Sequence, residues 1–112
     1  ANIPENKYSV AFQSRLGRDP WLEPYTDKTL ESYGKKGFGK LLIISPSFVA
    51  DCLETLEEIG IGGAEAYKDA GGGDYKLIPC LNEHPTWISF LENRIQSWIE
   101  EPETPSIGRL AS

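Results

Sequence analysis

Ser45-Pro46-Ser47-Phe48-Val49-Ala50-Asp51-Cys52-Leu53-Glu54-Thr55-Leu56-Glu57-Glu58 is the stretch on which the fold turns. A hydrophobic strand ends where it begins, and an acidic helix fills its second half. The strand is Lys40-Leu41-Leu42-Ile43-Ile44, apolar on consecutive residues. Such a run suits a strand buried on both faces, as in a parallel sheet covered by helices. Pro46 ends it, because proline has no N–H for the ladder and restricts Ser45 before it. In the helix, spacings of four and three place Cys52, Leu56 and Ile59 on one apolar stripe. Asp51, Glu54 and Glu58 fall three and four apart, on a different face. Carboxylates in one column repel when ionised, unless a cation or shared protons sit among them. They also lie beyond the carboxyl end of a strand, the edge where open α/β sheets place ligands. The plain alternative is a solvated helix face whose carboxylates favour the helix N-terminus. Spacing by itself leaves both open.

On the N-terminal side, Tyr8-Ser9-Val10-Ala11-Phe12-Gln13 alternates large apolar and small residues, a strand pattern. A loop punctuated by Gly17, Pro20 and Pro24 follows. Thr26 is the expected N-cap of a helix over 27–36, with Leu30 and Tyr33 inward and Lys35, Lys36 and Gly37 closing it. On the C-terminal side, Gly60, Gly62 and Gly63 each cost about 1 kcal/mol in a helix interior relative to Ala. The helix therefore breaks there or carries a wide turn, then resumes over 64–70 and stops at Gly71-Gly72-Gly73. Tyr75-Lys76-Leu77-Ile78-Pro79-Cys80-Leu81 reads as a third strand. His84-Pro85 opens a last helix over 85–100, with Trp87, Ile88, Leu91, Ile95 and Trp98 inward. Residues 1–6 read as linker, 7–100 as the domain and 101–112 as a flexible tail. The order strand–helix, three times over, predicts a Rossmann-like three-layer α/β/α fold with a small parallel sheet. Three strands make a thin sheet, which suits one half of a larger protein.

Length and charge narrow the classes. The 112 residues suffice for one small domain. A net charge of −6 argues against nucleic acid as a main partner, since phosphate binding needs clustered Lys and Arg. Cys52 and Cys80 lack the spacing of a zinc or redox motif, so buried thiols in a reducing cytoplasm are expected. No apolar run is long enough for a membrane span. The N-terminus is not a signal peptide, and a chain without Met is expected to be a fragment.

Several residues carry chemistry. Gln13, Ser14 and Arg15 follow a strand end, and an amide, a hydroxyl and a guanidinium suit a carboxylate or phosphate. Trp21 puts a flat ring in a loop, fit either to stack on a planar ligand or to anchor the core. Phe48, just before the acidic helix, has the same two readings. His84 is the only histidine and is best read as a cap or surface residue. Gly71-Gly72-Gly73 follows a helix and so lacks the context of a phosphate loop.

At these residues the sequence resembles the ferrochelatases. The match runs through Phe12-Gln13-Ser14-Arg15 with Gly17, Pro20-Trp21-Leu22 with Pro24 and Thr26, and Pro46-Ser47-Phe48. It continues through Asp51, Glu54-Thr55-Leu56 and Glu58 to Pro79-Cys80-Leu81-Asn82, in the family's order over about residues 7–100. The resemblance implies the C-terminal half of a two-domain chelatase, a lyase inserting ferrous iron into protoporphyrin in haem synthesis. Glu54 matches the active-site glutamate, implicated in metal delivery or in removal of pyrrole protons. Glu58 matches the next member of an acidic, metal-binding row on a helix with a wide turn. Gly62 stands where many relatives carry a third carboxylate. Gln13, Ser14 and Arg15 match the loop near the porphyrin propionates, and Trp21 and Phe48 match pocket-lining positions. The family's catalytic histidine belongs to the N-terminal half, and His84 does not match it. The implied partners are porphyrin, ferrous iron, and the missing half or a second subunit. No cofactor beyond substrate iron is expected, and no iron–sulfur cluster, because the cysteines that hold one are absent. A short homodimeric chelatase and a non-catalytic porphyrin- or metal-binding module remain as alternatives.

Overall fold

A computed structural model describes residues 2–13, 19–20 and 22–103. It divides into a first unit ending at Asn82 and a second beginning at Glu83. In the first unit, strands β1 (Lys40–Ile43) and β2 (Asp74–Leu77) pair in parallel, with Lys40 opposite Asp74 and Ile43 opposite Leu77. Parallel neighbours need a long crossover. Here it is a π-helical segment, Glu54–Gly62, running directly into α2 (Gly63–Asp69). The α/β class and the parallel pairing agree with the expectation.

Three details differ from it. Strand β2 stops at Leu77, short of the expected end at Leu81. Tyr8–Gln13 is not a strand of the sheet. Phe12 makes one parallel bridge with Tyr25, its N–H donating to Pro24 O at 2.9 Å and its carbonyl accepting from Thr26 N–H at 2.9 Å. The alternation of its residues was real, but its backbone groups find partners in the 24–26 segment instead of along β1. Among the described residues the sheet has two strands. Nor is β1 buried on both faces. Leu41 and Ile43 are half-buried with Tyr75 and Leu77, whereas Leu42 is 61% exposed. A continuous apolar run marks what a strand can bury, not how many of its faces are covered.

Helix α1 (Thr26–Lys35) packs on α2. Thr26 is its first residue, not its cap; Tyr25 holds the cap position, and Thr29 Oγ1 donates to the Tyr25 carbonyl at 2.8 Å. Its end follows the lysine–glycine signal. Gly37, at φ 73, donates its N–H to Gly34 O at 2.9 Å, and Phe38 N–H reaches Tyr33 O at 3.3 Å. The Phe38 and Tyr33 rings then meet at 5.0 Å, the apolar contact that accompanies this Schellman stop. Helix α2 closes by the same geometry at Gly71 and Gly72. Gly34 sits where the helices cross: a Cβ there would stand 2.5 Å from Tyr67 O and 2.6 Å from Ala70 Cβ. The core is Leu30, Ile59 and Tyr67, with Thr55 fully buried beside them. Tyr67 donates its phenol to the Phe38 carbonyl, which ties α2 to the loop before β1.

The second unit carries α3 (Pro85–Glu100). Pro85 takes the first helical position, and His84 Nδ1 accepts from Thr86 N–H at 3.2 Å, so the histidine is a cap. The face expected to turn inward is not buried: Trp87 and Leu91 are half-buried, while Ile95 is 58% and Trp98 68% exposed. Amphipathic periodicity shows which face seeks a partner and does not supply one.

Candidate functional site

The site is built where β1 hands over to the π-helical segment. Phe48 N–H donates to Ser45 O at 3.1 Å, closing a turn that leaves Phe48 half-buried. Asp51 follows, before the helix and not on it. Its Oδ2 accepts from Asn82 Nδ2 at 2.8 Å and from Cys80 N–H at 3.2 Å, and its Oδ1 accepts from Thr55 Oγ1 at 3.0 Å. Its own N–H donates to Asn82 Oδ1 at 2.8 Å. The expected column of Asp51, Glu54 and Glu58 is thereby corrected. Asp51 is occupied as a structural acceptor, and these hydrogen bonds, Asn82 foremost, hold its carboxyl below the usual range. Beside it, burial and the Asp51 carboxylate push the Cys80 thiol up, so it stays protonated.

The apolar stripe is corrected as well. Cys52 precedes the helix and Leu56 is 55% exposed. The residues turned inward are Thr55, Ile59, Gly63 and Tyr67, every fourth position. A regular α-helix would rotate such a row by roughly 40° at each step. The i→i+5 turns remove that drift, as in the bond from Gly63 N–H to Glu58 O. Glu54 and Glu58, also four apart, therefore run as a row beside the buried one.

Glu54 is half-buried and Glu58 exposed. A hydrogen bond from the Cys52 side chain, then one from its own backbone N–H, outweighs desolvation and lowers the Glu54 pKa. At neutral pH it is an ionised carboxylate. Gln13 Nε2 donates to Glu58 Oε2 at 3.1 Å, which brings the first loop and the acidic row together across 45 residues of sequence. Ser14, Arg15 and Trp21 lie outside the described residues. Among those described, no group of three or more His, Cys, Asp or Glu side chains converges as a metal site.

Tyr75 and Asn82 are the residues that pattern reading missed. Tyr75 Oη donates to Ile59 O at 2.7 Å, a carbonyl inside the π-helical segment, and burial pushes its phenol up to about 12. Gly63 admits that phenol, since a Cβ there would stand 2.5 Å from Tyr75 Oη. A glycine opposite a strand tyrosine is a sequence signal only once the crossover is known.

Fold and site together define a parallel α/β domain that presents a carboxylate row on a π-helix beginning beyond a strand's carboxyl end. More particularly, the chain belongs to the ferrochelatase family, whose model matches residues 1–98. It is 57% identical over 89 residues to a ferrochelatase of Pseudomonas putida, covering 80% of this chain and 26% of that protein. A ferrochelatase of Opitutus terrae is 48% identical over 100 residues, covering 89% of this chain and 29% of the relative. One from Pseudomonas aeruginosa is 54% identical over 91 residues, covering 81% and 27%. The chain thus spans about a quarter of the length of the curated relatives it matches. Among the described residues, no helix is long and apolar enough to cross a membrane.

Proposed function

We propose that this chain is the carboxylate-bearing, C-terminal part of a cytoplasmic ferrochelatase that inserts ferrous iron into protoporphyrin to form haem. The observation that carries the reading is the row of Glu54 and Glu58, kept straight by the π-helical turns and joined by Gln13. Insertion forms metal–nitrogen bonds, breaks two pyrrole N–H bonds and releases two protons, with no change in the iron's oxidation state. The incoming ion must also shed water. Exposed Glu58 meets the hydrated ion first, and half-buried Glu54 takes it next or accepts a pyrrole proton. Glu54 is already ionised, the form both tasks require. Ser14 and Arg15, with Gln13, hold the propionates, and Trp21 and Phe48 line the porphyrin face. Bending the macrocycle needs a wall on each side, and the second wall and its histidine come from the N-terminal half.

The test is metal insertion into protoporphyrin by the complete protein carrying Glu54→Gln. The amide keeps the shape and loses the charge, so turnover falls by about 100-fold or more while porphyrin binding persists. Turnover equal to the parent protein would remove Glu54 from the reaction.

A further inference from the structure

We infer that Asn82 is a positioning residue for Glu54: its carboxamide clamps Asp51 and so sets where the π-helical segment begins. The inference rests on the reading of Glu54 given above. Asn82 lies five residues beyond the end of β2, and its backbone is left-handed, at φ 49. For a residue with a Cβ that conformation is unfavourable, least so for Asn, and it persists where the surroundings over-determine it.

Here they do. Asn82 N–H donates to Val49 O at 2.9 Å, its Nδ2 donates to Asp51 Oδ2 at 2.8 Å, and its Oδ1 accepts from Asp51 N–H at 2.8 Å. Three bonds from one residue grip the same short segment, 49–51. The constraint then passes inward. Asp51 Oδ1 accepts from Thr55 Oγ1 at 3.0 Å, and Thr55 Oγ1 accepts from Cys52 N–H at 2.9 Å. Thr55 is fully buried and directly follows Glu54 in the chain. Asn82 thus reaches the residue bonded to the glutamate through a short series of hydrogen bonds. The bonds to Asp51 are exposed, so each adds little to global stability. Their effect concentrates on where the helix starts, and a displacement of 1 Å at a reacting group costs about 100-fold in rate.

The experiment compares the complete protein with its Asn82→Gly and Asn82→Ala variants. Glycine adopts the left-handed backbone freely, so Asn82→Gly isolates the carboxamide even where Asn82→Ala fails to fold. The readouts are steady-state metal insertion, thermal midpoint, and amide hydrogen exchange over 48–57. For Asn82→Gly, kcat falls by about tenfold or more, KM for porphyrin stays within about twofold, and exchange over 48–57 speeds by about tenfold, with little change in midpoint. A kcat within about twofold of the parent, or unchanged exchange, overturns the inference. A parent protein that inserts no metal overturns the functional reading instead, and exchange over 48–57 then judges the clamp by itself.

Discussion

Tyr75 ties its hydroxyl to the π-helical stretch of the crossover. Its phenol pKa is raised from 10.0 to about 12, because burial disfavours the phenolate. The consequence for stability has a definite sign. The contribution is complete below pH 10, where the unfolded phenol is still neutral, and is lost as pH climbs toward 12 and the unfolded chain ionises first. Denaturant midpoints measured across that window decline with pH, and Tyr75→Phe flattens this part of the decline. At neutral pH the same change leaves the Ile59 carbonyl without its donor and destabilises by about 1–2 kcal/mol. A midpoint equal to the parent's would show that the bond contributes nothing. Residue type and the ferrochelatase resemblance singled out Glu54, Glu58 and Gln13, and the structure joins the last two by a hydrogen bond. The employment of Asp51 was not, because its partner Asn82 stands 31 residues away and spacing arguments see only neighbours on one element.

At the scale of the element, the three glycines at 60, 62 and 63 are not equivalent. A Cβ at Gly63 would meet Tyr75 Oη at 2.5 Å and Leu30 Cδ1 at 3.1 Å, whereas one at Gly62 finds only Glu57 O at 3.5 Å. Gly63→Ala therefore overpacks the contact between crossover and sheet and lowers stability by about 1–3 kcal/mol, read as a drop in thermal midpoint. Gly62→Glu restores the third carboxylate that the resemblance expects there. It folds with a midpoint at or above the parent's, because a helix interior favours Glu over Gly by roughly 0.5–1 kcal/mol. A collapse of the fold on Gly62→Glu would show that the row is shortened for steric reasons. The glycine run alone left a choice between a break and a wide turn. What decides for the turn is packing: Thr55, Ile59, Gly63 and Tyr67 bury together, and only a turn wider than α keeps every fourth residue on one face.

At the scale of the whole molecule, the proposal places a second wall outside these residues, since the chain spans 26% of its Pseudomonas putida relative. Produced alone, the 112-residue chain inserts metal at a rate about 100-fold or more below that of the complete protein, measured with the same porphyrin and ion. Comparable rates would mean that these residues build the whole site. Local pattern carried the α/β class, the parallel sense of the sheet, and the helix ends at Gly37 and Gly71. These follow from periodicity, capping chemistry and residue type, which act over a turn or two of chain. Long-range contacts settle that the sheet described has two strands, that the crossover winds as a π-helix, and that Asp51 serves Asn82 and not the acidic row. Each of these depends on which distant group arrives to satisfy a backbone or carboxylate atom, and local pattern holds no record of that arrival.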